Sequence, residues 1–139
     1  MVTVDFSPGL AGWLDAHDVS IAFTSYQSGR LYLLGRGAEK KLALHEAQWP
    51  QAMGVAGDGQ RLYLGTLTQL VRLENALGPG QLADERYDRV YVPRNAQTFG
   101  NIDFHELGIR KNGTVVVVNT RFSCLCEPSL VHSFRPVWK

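Results

Sequence analysis

Asp103, His105 and Glu106, in the stretch "NIDFHELGI", form the densest polar cluster of the chain with residue types suited to chemistry. On a strand, Asp103 and His105 lie two apart and project to one face, while Glu106 faces the other way. Asn119, expected in the paired strand, adds an amide. Carboxylate, imidazole and amide together can bind a divalent metal, a sugar or an acidic substrate. The same residues also suit a structural role, in which a His and an Asp hydrogen-bond and tie neighbouring strands together. An Fe(II) facial triad needs His-x-Asp/Glu with a distant His. This chain has the reverse order, Asp103-Phe104-His105, and none of His17, His45 and His132 has a carboxylate two residues on.

Cys124 and Cys126 flank Leu125 in "FSCLCEP". A catalytic thiol needs a base beside it, and His132 lies a loop away. Two thiolates are too few for a zinc site at this spacing. Two residues apart, they are also too close for a typical stabilising disulfide, so both are expected as reduced, buried, small apolar groups. Trp138, Phe134 and Tyr91 could form an aromatic platform for a sugar, although packing inside sheets is the commoner use. No glycine-rich phosphate loop links a strand to a helix.

The elements that must hold these residues are mostly strands. Ser7-Pro8 is expected to open one helix, with Ser7 as N-cap and with Leu10, Trp13 and Leu14 on one face, ending near Ala16 to Asp18. Three segments then share one pattern: "FTSYQSGRLYLLG", "MGVAGDGQRLYLGT" and "LGIRKNGTVVVVNT". Each holds a short strand, a turn at Ser28-Gly29, Asp58-Gly59 or Asn112-Gly113, and a second strand. Asp-Gly and Asn-Gly supply the positive φ angles that tight hairpins use. The second and third segments align without gaps, Gly54 with Gly108, Gly59 with Gly113, Leu64 with Val118 and Thr66 with Thr120, an internal repeat. Further strands are expected at "KLALHE", "QLVRLE", "RVYVPR" and "SCLCE". Four antiparallel strands in about 40 to 50 residues mark a propeller blade. Val115 to Val118, apolar at every position, reads as a strand buried on both faces between blades.

The expected fold is therefore all-β: antiparallel, propeller-like blades, two complete and a third partial, after a short N-terminal helix. Residues 1–139 form a single partial domain. This number of blades cannot close a propeller, so the chain is expected to be a fragment of a longer one or to pair its open sheets with another chain.

Composition narrows the partners. The formal charge is +1, with Arg30, Arg36, Lys40 and Lys41 interrupted by Glu39 and apolar residues. That pattern is a solvated surface and not the dense basic patch of a nucleic-acid binder. No run approaches the ~20 apolar residues of a membrane span. The start of the chain lacks a basic, then apolar, signal sequence. A cytoplasmic setting is expected.

The stretches "IAFTSYQSGRLYLLG", "MGVAGDGQRLYLGT", "RLENAL", "YDRVYVPR", "NIDFHELGI", "VVVVNTRFSCL" and "HSFRPVWK" resemble, in order and spacing, an uncharacterised bacterial family with a β-propeller-like domain of unknown function. The resemblance runs from Val19 to Lys139 and stops in mid-propeller. It implies a fold and no agreed activity. Some relatives carry a label of peptide-aspartate β-dioxygenase, which the triad test above does not support. Two function classes follow. The first is a binding or scaffold module for a protein or glycan partner, self-associating through open sheet edges. The second is a metal-dependent hydrolase working at Asp103, His105 and Asn119. No cofactor is assigned.

Overall fold

The computed structural model describes residues 4–37, 39 and 41–139. Ser7 does not cap the helix. Its carbonyl accepts the Leu10 N–H at 3.1 Å in a separate turn, so α1 (Leu10–His17) starts later, behind Gly9 and without a side-chain cap. Pro8 explains the delay: its ring and missing N–H suit the turn ahead of the helix as well as its first position. Asp18, in the left-handed conformation (φ 50°), ends the helix. Leu14 is its buried residue, and the helix packs on β2 (Arg30–Arg36).

The remaining chain forms three antiparallel sheets in which neighbours in sequence are neighbours in space. The first joins β1 (Ile21–Ser25), β2 and β3 (Leu42–Gln48). The second joins β4 (Val55–Gly57), β5 (Arg61–Gly65), β6 (Gln69–Asn75) and β7 (Tyr91–Thr98). The third joins β8 (Phe104–Ile109), β9 (Val115–Asn119), β10 (Cys124–Glu127) and β11 (Arg135–Trp138). Fold class is thus all-β with one short helix. β11 had no sequence signal as a strand. It contains Pro136, which only an edge position tolerates, and β11 is the edge of its sheet.

The hairpin turns use different devices. Gly29 (φ 58°) and Gly113 (φ 83°) take positive φ, as their turns require. Gly59 does not, which corrects the expectation for Asp58-Gly59. There the Asp58 carboxylate holds the turn by accepting the N–H groups of Gln60 at 2.7 Å and Arg61 at 2.9 Å. Those two bonds, in that order, hold Asp58 below the usual carboxylate range. Asp58→Ala should therefore cost about 1 kcal/mol. Gly59→Ala should stay within about 0.5 kcal/mol, since its new Cβ would meet only the flexible Arg89 guanidinium at 3.3 Å. The Asp58 contribution is present above 3.8, the carboxylate's ordinary value, and is lost as pH falls through its lower folded value. Urea titrations of both variants at neutral and acid pH check this; equal losses would refute it.

Strand alternation sorts the apolar side chains into two cores. Leu62, Leu64, Val71 and Leu73 of the second sheet meet Leu31 of the first, with Ala52 between. The opposite face of the second sheet, with Leu70 and half-buried Ala56 and Tyr63, meets Phe104, Leu107, Val115, Val117, Cys124 and Cys126 of the third. Among the described residues the middle sheet has another sheet against each of its faces, whereas the outer face of the first is covered in part by α1. In β9, Val115 and Val117 are buried but Val116 and Val118 are half-exposed, so the expected double burial is not met. The reason is that no further sheet covers that outer face among the described residues.

The first strands of the sheets adjoin: β1 packs on β4, and β4 on β8. This approach is close enough to demand glycine. A Cβ on Gly54 would lie 2.9 Å from the Glu106 backbone, and one on Gly65 would lie 2.2 Å from the Phe104 ring. The basic residues behave as a solvated surface: Arg30 pairs with Glu46, Arg36 with Asp15 and Asp18, and Lys41 with Glu39. Lys40 lies outside the described residues. No helix among the described residues is long and apolar enough to cross a membrane.

Candidate functional site

Asp103 comes just before β8 at a φ of 53°, so it is not a strand residue. The register then slips from Phe104 opposite Asn119 to Glu106 opposite Val118, leaving His105 as the extra residue of a bulge. Strict alternation fails here, and with it the expectation that Asp103 and His105 share a strand face. The exposed Asp103 carboxylate accepts the Thr120 hydroxyl at 2.8 Å, and its carbonyl accepts the same hydroxyl at 2.8 Å. His105 is exposed and makes no side-chain hydrogen bond among the described residues, so the Asp103–His105 structural pair is not formed. Asn119 is buried. Its Oδ1 accepts the Phe122 N–H at 3.1 Å and its Nδ2 points at Cys126 Sγ, 3.8 Å away, which commits the amide to the β9–β10 turn. Among the described residues no group of three or more His, Cys, Asp or Glu could hold a metal ion.

Both cysteines are free and buried. Burial pushes the Cys126 thiol up to about 11, against a smaller opposing effect of the Asn119 amide. A reactive cysteine needs the opposite shift. Thiolate at Cys126 should therefore be about a hundredfold scarcer than for an ordinary thiol at pH 8, and labelling by a thiol reagent should await unfolding. Rapid labelling of native protein at Cys126, read by mass spectrometry, would contradict this. Because the folded value exceeds the ordinary 9.0, the thiol's contribution to stability is complete below pH 9 and disappears as pH rises towards 11.

The three aromatic residues do not assemble into a platform. Phe134 stacks on Phe99 with ring centroids 6.5 Å apart, whereas Tyr91 packs against the other core and donates its hydroxyl to the Asp58 carbonyl at 3.2 Å. Trp138 stands exposed on the edge strand.

A different place gathers polar groups. Pairing across the second sheet sets Tyr63, Arg72 and Asn95 in one row over β5, β6 and β7, with Leu70 and Gln97 in the next row. This face looks across at Gly113 and Thr114 of the β8–β9 turn and Val115 of β9, and borders a half-open cleft of ≈ 280 Å³. A neighbouring cleft of ≈ 320 Å³, lined by Arg61 and Glu74 among others, shares Tyr63 and Gly113 with it. Gln97 Nε2 donates to the Ser129 carbonyl at 2.5 Å and braces the two sheets. Arg61 Nε donates to Glu74 Oε1 at 2.5 Å. Arg72 ion-pairs with that same oxygen, its Nε 3.2 Å away and outside hydrogen-bonding geometry; the Nε atom is buried, while the side chain as a whole is 39% exposed. Nothing in the sequence reading singled these residues out. Each occupies an ordinary polar position in its own strand, and only the register brings them together.

A second polar group lies beside Pro128, which also lines the first cleft. Glu127, at the end of β10, is 4% exposed and ion-pairs with Arg110 at 2.7 Å and Arg135 at 2.5 Å. This is a fastening and not an open site, since one carboxylate oxygen faces Arg135 of β11 and the other Arg110, just past β8.

No curated protein and no solved structure matches the chain. The family model described as a domain of unknown function (DUF4915) matches residues 8–139. With nearly the whole length matched, the chain belongs to the DUF4915 family.

Proposed function

We propose that the chain is a propeller-like binding module whose partner, a glycan or a protein, is held in the cleft between the second and third sheets. The observation that carries this is the row of Tyr63, Arg72 and Asn95, which converges on a cavity with no nucleophile and base beside it. Three features support the propeller arrangement. The sheets are sequential antiparallel meanders, and their first strands adjoin. The shift that carries Gly59 onto Gly113 also carries β5 (Arg61–Gly65) onto β9 (Val115–Asn119). The hydrolase reading at Asp103, His105 and Asn119 ranks lower because the Asn119 amide is already committed to a turn.

Asn95 is exposed on β7, so Asn95→Trp can fill the cleft without disturbing a core. Glycan and peptide panels screened by thermal shift should give binders to the native protein that Asn95→Trp no longer binds, with its own melting temperature kept. Binders that Asn95→Trp retains would place recognition elsewhere.

The module is also proposed to self-associate. Phe23 stacks on Tyr32 with centroids 5.0 Å apart on the outer face of the first sheet, and Phe23 is exposed. At the other end, Val118, Leu125 and Trp138 are register neighbours on the outer face of the third sheet. One copy could cover both faces of another. Light scattering at micromolar concentration should report a dimer or larger; a stable monomer would refute this part.

A further inference from the structure

We infer that two copies of the chain join edge to edge through β3, across a two-fold axis at His45, so that their first sheets become one. This rests on the self-association proposed above and names the strand that carries it. The backbone is the first argument. At the two ends of the β2–β3 ladder, the Trp49 N–H donates to the Gly29 carbonyl at 2.8 Å and the Gly37 N–H donates to the Lys41 carbonyl at 2.7 Å. Hydrogen-bonded pairs alternate along an antiparallel ladder, so Ala43, His45 and Ala47 are the β3 residues bonded to β2. Leu42, Leu44, Glu46 and Gln48 turn their N–H and C=O groups the other way, where the first sheet ends. A free row of that kind is a template for a further strand.

Elimination then names the occupant. The outer edges of the other two sheets are guarded: β7 and β11 carry Pro93 and Pro136, and each slips in register against its neighbour. At the opposite edges, β1, β4 and β8 already adjoin one another. β3 has no proline, and its 7 residues pair with β2 without a shift. Among the described residues, the regular free edge of one copy therefore finds its match in β3 of another. Like meeting like is the isologous arrangement of a two-fold dimer. With the axis at His45, the midpoint of the strand, Leu42 stands opposite Gln48 of the second copy and Leu44 opposite Glu46. Each such pair exchanges two hydrogen bonds. Glu46, the acidic side chain of β3, is paired with Arg30 at 3.4 Å and meets Leu44 instead of its own copy, which keeps the two carboxylates apart.

Cross-linking and amide exchange on the whole chain test the inference. His45→Cys, at an exposed position, sets a thiol opposite its own copy in a non-hydrogen-bonded pair, with Cα atoms about 4.5 Å apart and within reach of a disulfide. With oxidised glutathione it should run as a covalent dimer on a non-reducing gel, whereas Glu46→Cys, which faces Leu44, should not. The native cysteines are buried and stay out of the reaction. Amide exchange of the native chain needs no variant. The N–H groups of Leu42, Leu44, Glu46 and Gln48 should slow about tenfold between micromolar and millimolar concentration, while those of Ala43, His45 and Ala47 are protected throughout. Glu46→Pro removes an outward donor and leaves the β2 ladder whole, so it should weaken the dimer about tenfold with the fold kept. A dimer with neither the His45→Cys cross-link nor the concentration-dependent protection would overturn the β3 edge and leave self-association to the sheet faces. Cross-linking of Glu46→Cys in place of His45→Cys would overturn the axis. A monomer at every concentration would overturn the self-association and this inference together.

Discussion

Gly65→Ala should destabilise the protein by about 2 to 3 kcal/mol, far more than a glycine substitution outside the left-handed region ordinarily does. A Cβ at Gly65 would lie 2.2 Å from both Cδ1 and Cε1 of Phe104 and 2.8 Å from Cζ. Neither side can yield easily. Phe104 is buried and meets Phe99 edge-on at 6.1 Å, so its ring has no room to retreat. The backbone of Gly65 is pinned from both ends: its N–H donates to the Gly54 carbonyl at 2.8 Å, and its carbonyl accepts the Met53 N–H at 3.1 Å. Its φ lies outside the left-handed region, so the whole cost is steric. Phe104→Ala should destabilise by itself, since it empties part of the core. In the double variant the clash is absent, so the combined loss should fall short of the sum by 1 kcal/mol or more, a coupling typical of residues in direct contact. Urea unfolding of the two single variants and the double variant gives that cycle. Strict additivity would mean that Gly65 and Phe104 do not meet.

Much of this architecture is legible in the sequence, for local reasons. β5, β6 and β9 announce themselves because their period-two or all-apolar patterns sit between Gly, Asp and Asn turn residues, and both signals act within a few neighbouring residues. Cys124 and Cys126 read correctly as buried groups because two residues on a strand share a face. What escaped depends on partners distant in sequence. β11 is a strand only because the edge of β10 is free to pair with it, and its residues are all exposed, so no alternation marks it. The role of Asp58 is visible in its residue type, but whether the carboxylate or the glycine's φ makes the turn is a matter of geometry. The bulge at His105 illustrates the point most sharply. A single extra residue turns an apparent same-face pair into two exposed side chains, one of them bonded to Thr120. The cleft was illegible for the same reason, since the Tyr63–Arg72–Asn95 row exists only in the register of three strands.

Removing both arginines around Glu127 should be the most damaging change available at the surface, at about 3 kcal/mol for Arg110→Ala with Arg135→Ala. The asymmetry of burial decides this. Arg110 and Arg135 side chains are 51% and 68% exposed, so water and salt already screen their charges, whereas the Glu127 side chain is 4% exposed. Taking the arginines away strands a desolvated carboxylate with no counter-charge. Taking the carboxylate away, as in Glu127→Gln, returns two exposed guanidiniums to water and should cost only about 1 kcal/mol. The triple variant should accordingly be more stable than the double arginine variant, although it has lost one more native side chain. The damage should also be local. Arg135 opens β11 and stands opposite Glu127 in the register, so this pair anchors an edge strand that buries none of its own residues. Hydrogen exchange at residues 135–138 should accelerate in the double variant before the rest of the third sheet changes. A double variant no less stable than Glu127→Gln would show that the carboxylate reaches water without its arginines, and that β11 is held by its backbone ladder alone.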